Sequence, residues 1–266
     1  MTILDEIIAF KRTEVEERKG LYPTKLLEKS IYFPTDCVSL SKYITREDLS
    51  GIIAEIKRKS PSKGVINDYV SVERTSIGYM QAGASGLSIL TDGHFFGGKS
   101  DDLTTARKFN FCPILRKEFI IDEYQIIEAK SIGADAILLI AAVLKPYEIS
   151  ALAGFAKSLG LEVLLEVHSA DELEKSTVDE LDIIGVNNRN LKTFEVSTQT
   201  SLDLLDLIPD QFVKISESGI SSPETLLELK KAGFQGFLMG ENFMRHSRPE
   251  RACKEFIDKL HLLETA

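Results

Sequence analysis

From Gly51 onward, short runs rich in Ile, Leu and Val alternate eight times with helical patterns. That alternation predicts an α/β chain folded as a single (β/α)8 TIM barrel with an N-terminal helical extension. Two further observations agree. The runs have the continuous apolar character of parallel strands covered on both faces. The 266 residues also suit one barrel, which takes about 200–250 residues, with a remainder at the start.

The remainder comes first in the chain. Leu4, Ile7, Ile8 and Val15 mark the apolar face of a helix, and Leu26-Leu27 begins or ends a shorter one. Residues 1–50 are therefore expected as a helical extension within a single domain of 1–266, serving as a layer that closes the barrel or as a lid above its mouth. Strands are expected at 51–57, 86–91, 112–118, 135–141, 162–167, 182–187, 212–217 and 235–240. Between and after them, helices are expected at 71–83, 102–109, 122–132, 146–159, 169–177, 197–207, 222–233 and 249–263. Pro146 and Pro223 fall in first turns, where a missing N–H costs nothing. Gly83, Gly133, Gly160 and Gly233 stand where helices end and supply left-handed caps.

Composition narrows the function. With 32 Lys and Arg against 41 Asp and Glu, the net charge of -9 disfavours a general nucleic-acid role, which needs a basic face. Cys37, Cys112 and Cys253 are odd in number and far apart, so neither a zinc site nor a disulfide framework is expected. No early apolar stretch reads as a secretory signal, and no run approaches the ~20 apolar residues of a membrane span. The expected place is the cytoplasm. No nucleic-acid or membrane partner is expected, and the working expectation is a monomer.

Polar side chains close the strand runs: Glu55 and Lys57, Lys117, Glu166, Asn187 and Ser218. An ionised group is costly in an apolar interior, so strands buried on both faces should end in solvent or in a site. Side chains alternate along a strand, which puts Glu55 and Lys57 on one face. The same parity pairs Leu115 with Lys117, Leu164 with Glu166, Gly185 with Asn187, and Ser216 with Ser218. All six groups can then meet at the C-terminal mouth, where barrel enzymes place their chemistry. Two acids and two amines there suggest acid–base work. They would also suit plain structural ion pairs, and a Schiff-base role for either lysine stays open.

The last two strand ends carry glycines, in Ser218-Gly219-Ile220 and Gly240-Glu241-Asn242. Glycine lets backbone N–H groups approach an anion, and barrels use these two loops for phosphate. Ser60 could reach the same anion across the mouth. Phe95-Phe96-Gly97-Gly98 offers rings that either plug the loop or stack on an aromatic substrate. Asn187-Asn188-Arg189 offers amides and a guanidinium for a carboxylate. The four histidines show no HxH or HExxH spacing, so no metal is expected.

Seven segments together resemble the indole-3-glycerol phosphate synthase family: Ile53-Ala54-Glu55-Ile56-Lys57-Arg58-Lys59-Ser60-Pro61-Ser62, Leu90-Thr91-Asp92 with Phe95-Phe96-Gly97-Gly98, Leu115-Arg116-Lys117-Glu118-Phe119-Ile120, Leu165-Glu166-Val167-His168, Gly185-Val186-Asn187-Asn188-Arg189-Asn190-Leu191, Ser216-Glu217-Ser218-Gly219-Ile220 and Met239-Gly240-Glu241. The resemblance spans almost the whole chain, in the family's order.

It implies ring closure, decarboxylation and dehydration of 1-(2-carboxyphenylamino)-1-deoxyribulose 5-phosphate in tryptophan biosynthesis, with no metal or organic cofactor. By the same resemblance Lys117 is the acid of ring closure, and Lys57 with Glu55 the second acid and base. Glu166 stabilises positive charge or takes a proton. Asn187, Ser218 and Arg189 orient the ring and carboxylate, with Phe96 and Glu217 also on the substrate. Ser60, Gly219, Gly240 and Glu241 hold phosphate. Lys99 and Glu118 depart from the family's usual Ser and Asp, which bears on the second and third strand loops. The alternatives are another phosphate-binding barrel, such as a phosphoribosyl-anthranilate isomerase, or a non-catalytic phosphosugar-binding scaffold.

Overall fold

The structure, a computed structural model, describes residues 2–191 and 193–265. Eight parallel strands form a closed barrel: β1 (Ile52–Ile56), β2 (Gly86–Leu90), β3 (Ile114–Lys117), β4 (Ala136–Ile140), β5 (Glu162–Val167), β6 (Ile183–Asn187), β7 (Val213–Glu217) and β8 (Gly236–Met239). Each pairs with its sequence neighbours, and β1 closes the ring on β8, with Ile53 opposite both Leu238 and Gly86. The expected strand runs hold to within two residues at each end.

Three helices precede the barrel: α1 (Ile3–Leu21), α2 (Thr24–Leu27) and α3 (Leu40–Ile44). The others follow in turn: α4 (Val72–Gln81), α5 (Ser100–Phe109), α6 (Glu123–Ile132), α7 (Pro146–Ser158), α8 (Ala170–Ser176), α9 (Gln199–Leu205), α10 (Pro223–Ala232), α11 (Glu241–Met244) and α12 (Pro249–Glu264). Local chemistry sets their ends. Asp122 caps α6 by accepting the Tyr124 N–H at 2.9 Å, and Gly133 closes it at φ 94°. The first loop adds a short antiparallel hairpin, Lys59 and Ser60 against Val65 and Gly64.

Alternation along the strands divides the core in two. Ile53, Leu115, Leu138, Leu164, Ile183, Ile215 and Leu238 fill the barrel interior. Ile52, Ile56, Leu87, Ile137 and Ile184 belong to the layer beneath the helices. The extension reaches both ends of the barrel. Leu40 and Ile44 of α3 join the interior core at the N-terminal end of the barrel. A Cβ at Gly86 would lie 2.7 Å from Leu40 Cδ1, and one at Gly236 2.8 Å from Ile44 Cγ2, so both strands begin with glycine where this plug seats.

The first turns of α1 lie at the opposite end, where Ile3, Leu4 and Ile7 border the mouth. One helical turn further on, Lys11 is 1% exposed and places Nζ 2.9 Å from Asp92 Oδ2 and 3.0 Å from Glu118 Oε1. Nothing in the sequence singled out Lys11. It lies on the buried stripe with Ile7 and Val15, yet reads as one charge among many on α1.

Candidate active site

The C-terminal strand ends surround a cleft of about 480 Å³. Every site residue predicted from the sequence lines it: Glu55, Lys57, Ser60, Phe96, Lys117, Glu166, Asn187, Arg189, Glu217, Ser218, Gly219, Gly240 and Glu241. So does Phe119, two residues beyond Lys117.

Lys117 is the centre of the charged group. Its Nζ donates to Glu166 Oε2 at 2.9 Å and to Glu217 Oε2 at 2.6 Å. Burial disfavours the ammonium, but Glu166, Glu217 and Glu55 outweigh it and hold the pKa well above that of a free lysine. Across the mouth, Lys57 Nζ lies 2.9 Å from Glu55 Oε1, while Ser88 donates to Oε2 of the same carboxylate at 3.3 Å.

One expectation fails on β7. Parity along the run placed Ser216 and Ser218 toward the axis, but Ser216 faces the helices. Its hydroxyl lies 2.7 Å from that of Ser201 and accepts from Asn188 Nδ2 at 2.9 Å. Ile215 and Glu217 are the residues that face inward. Ser218 still lines the cleft because its backbone is left-handed at φ 67°, which breaks the strand's alternation. Two consecutive side chains thus reach one site, and the second acid on Lys117 is Glu217.

The two acids are not equivalent. For Glu166, burial works against ionisation, but Lys117 and then His168 outweigh it, and its carboxyl lies below the usual range. For Glu217, burial dominates, Lys117 only partly offsets it, and Glu166 adds repulsion, so its carboxyl lies above that range. Environments that push two neighbouring carboxyls apart in this way give them different protonation states at one pH. Asn187 Nδ2 donates to Glu166 Oε1 at 3.1 Å, and its Oδ1 accepts the Arg189 N–H at 3.0 Å.

The aromatic loop is fixed from below. Asp92 Oδ1 accepts the N–H groups of Phe95 at 2.7 Å and Phe96 at 3.0 Å, while its other oxygen holds Lys11. The Phe96 ring lies 5.8 Å from that of Phe119. Glu118 is engaged too: Thr91 donates to its Oε2 at 2.7 Å and Lys11 meets its Oε1. On the glycine-rich side, a Cβ at Gly240 would lie 2.6 Å from Glu55 Oε1, so Gly240 leaves room for the Glu55 carboxylate. Gly219 is left-handed at φ 77°. The Glu241 carboxylate lies 3.5 Å from Lys63 and 3.6 Å from Arg189, which leaves its backbone, not its side chain, as the group suited to an anion. Among the described residues, no cluster of three or more His, Cys, Asp and Glu is placed to hold a metal ion. No helix among them is long and apolar enough to cross a membrane.

A family model described as indole-3-glycerol phosphate synthase matches residues 4–256. An indole-3-glycerol phosphate synthase of Bacteroides thetaiotaomicron is 49% identical over 255 residues, covering 96% of this chain and 97% of that one. Another, from Burkholderia ambifaria, is 43% identical over 93% of this chain and 95% of its own length. Among solved structures, a tryptophan synthase complex from Pyrococcus furiosus aligns with a TM-score of 0.60 at 14% identity, over 79% of this chain and 97% of that one. A structure described as native KDPGal aligns with a TM-score of 0.57 at 13% identity, over 81% of this chain and 95% of that one. The two structural likenesses concern the fold alone.

Proposed function

Because the chain belongs to the indole-3-glycerol phosphate synthase family, we propose a division of labour in the cleft for that family's reaction. The protein is a carboxy-lyase of tryptophan biosynthesis. It converts 1-(2-carboxyphenylamino)-1-deoxyribulose 5-phosphate into indole-3-glycerol phosphate, carbon dioxide and water. The observation that carries the assignment of roles is Lys117, held between Glu166 and Glu217 at the cleft centre.

In the first step the ring carbon bearing the carboxylate attacks the ribulose carbonyl. Negative charge grows on that oxygen, and the Lys117 ammonium stabilises it and passes it a proton. The developing alkoxide is a strong enough base to take a proton from an amine held this basic. Glu166 stays anionic and balances the ammonium. Carbon dioxide then leaves and restores the aromatic ring. Dehydration needs an acid at the departing hydroxyl and a base at the neighbouring proton, which we assign to Lys57 and Glu55.

Phe96 packs on the anthranilate ring, with Phe119 behind it. Asn187, Arg189 and Ser218 orient the ring and its carboxylate, and Glu217 anchors Lys117 from the substrate side. Ser60 and the backbone at Gly219, Gly240 and Glu241 take the phosphate. One chain supplies all these groups, so we propose that a monomer suffices. Three free cysteines suit the reducing cytoplasm, where we place the enzyme. The test is direct: indole-product fluorescence should appear when purified protein meets the carboxyphenylamino substrate. Its absence, with the protein folded, would overturn the assignment.

A further inference from the structure

His168 has no part in the roles above, yet it is built into the electrostatics of the cleft. It is the residue after β5 and precedes Ser169, the N-cap of α8. Glu172, four residues on, accepts the His168 backbone N–H at 2.7 Å, and the same Oε2 lies 3.3 Å from Nδ1. A carboxylate there makes Nδ1 the protonated nitrogen and fixes the plane of the ring. Nε2 then faces Glu166 Oε1 at 3.5 Å, buried and, among the described residues, without a hydrogen bond.

A neutral ring in that orientation would aim a lone pair at a carboxylate. A protonated ring aims an N–H at it. The acids around the ring come from three elements: Glu166 on β5, Glu172 on α8 and Glu217 on β7. Burial disfavours the imidazolium, but Glu172, Glu166 and Glu217 outweigh it and raise its pKa. Lys117 is the nearby cation, and it is already bound to Glu166 and Glu217. These two acids therefore share one amine and differ in what else they touch. Glu166 has Asn187 and His168, whereas Glu217 Oε1 is buried with no hydrogen bond among the described residues.

We propose that His168 is a positioning residue for the reaction: pinned by Glu172, it holds its second ring nitrogen against Glu166, keeps that carboxylate anionic on Lys117, and so leaves Glu217 as the carboxyl that takes up a proton. The kinetic part rests on the reaction proposed above; the electrostatic part does not.

Two readouts separate them. Glutamate carboxyls, labelled with carbon-13 and assigned through E166Q and E217Q, are titrated by NMR in wild type, H168Q and E172Q without substrate. Turnover and KM are then followed against pH. In H168Q the Glu166 signal should titrate roughly one pH unit or more higher, the size expected for losing an adjacent opposite charge. The acid limb of turnover should move the same way, with KM little changed. E172Q should give a smaller shift in the same direction, because the ring stays in place but loses the charge that pins it. The double variant should shift no further than H168Q, since both act through one group. A Glu166 signal at its wild-type position in both single variants sinks the proposal, whatever happens to turnover. So does a uniform fall in turnover with an unmoved acid limb, which is what a packing role would give. Wild-type protein that forms no indole product overturns the reaction instead, and the carboxyl titration then judges His168 alone.

Discussion

The Glu217 side chain on β7 reaches over Gly185 on the neighbouring β6, and a Cβ at Gly185 would stand 2.4 Å from Glu217 Oε1. The missing side chain on β6 is what allows the β7 acid to turn inward and reach Lys117. Gly185→Ala should therefore push Glu217 off the amine. A misplacement of this kind at a reacting centre costs about 10²-fold in turnover. Overpacking should cost stability about 1–3 kcal/mol. Steady-state kinetics with a melting curve checks both, and full turnover in G185A would show that Glu217 can leave Lys117 without consequence.

Lys117→Ala should abolish turnover with the fold and substrate binding largely kept. Loss of a general acid costs about 10²–10⁴ in rate, and loss of the charge facing the alkoxide adds to it. Arginine should not restore activity, because it holds its proton too tightly. Lys57→Ala should instead allow ring closure and decarboxylation and stall before dehydration. Rapid-quench analysis separates the two. An intermediate that accumulates in K117A, not K57A, would reverse their roles.

Phe96→Ala should weaken substrate binding by about 0.5–1.5 kcal/mol, the worth of one aromatic contact beyond its area. Its ring stands against Phe119, and its backbone N–H is held by Asp92, so the loop should keep its path without the ring. A raised KM with an unchanged melting temperature is the expected result. An unchanged KM with a lowered melting temperature would make Phe96 a loop plug.

The unequal acids should be visible in stability as a function of pH. The Glu166 carboxyl is depressed in the folded state, so its stabilisation is present above the unfolded pKa of about 4.3 and is lost as pH falls through the folded value. The Glu217 carboxyl is raised, so the folded state holds its proton more tightly, and stability declines as pH rises from about 4.3 through the folded value. E217Q should therefore melt higher than wild type near neutral pH, with the advantage closing on acidification. E166Q should melt lower near neutral pH. Melting temperatures across a pH series decide it, and two parallel curves would mean that the acids are alike.

Most of this was legible in the sequence for a simple reason. Strands buried on both faces must be apolar, so the residues that end them stand out, and Glu55, Lys57, Lys117, Glu166 and Asn187 all did. Strict alternation assigns the axis to Ser216 and turns Glu217 away from it, so the contact of Glu217 with Lys117 does not follow from the strand pattern. Only a left-handed residue at Ser218 lets both Glu217 and Ser218 face the site, and a serine gives no hint of that. The plug α3 is five residues long, too short for a periodic signal. His168 and Lys11 are ordinary residues in sequence, and their meaning lies in partners on other elements.

The buried Lys11 also sets an order of events during synthesis. Its amine leaves the ribosome with the first helix, but Asp92 and Glu118 follow only once β2 and β3 have been made. Until then the charge has nowhere dry to go, and α1 must stay solvated at the surface of the growing chain. The loop that carries Phe96 waits with it, because Asp92 serves both. The mouth of the barrel is therefore completed only when α1 docks onto Asp92 and Glu118, and a nascent chain halted before β3 should leave α1 open to protease.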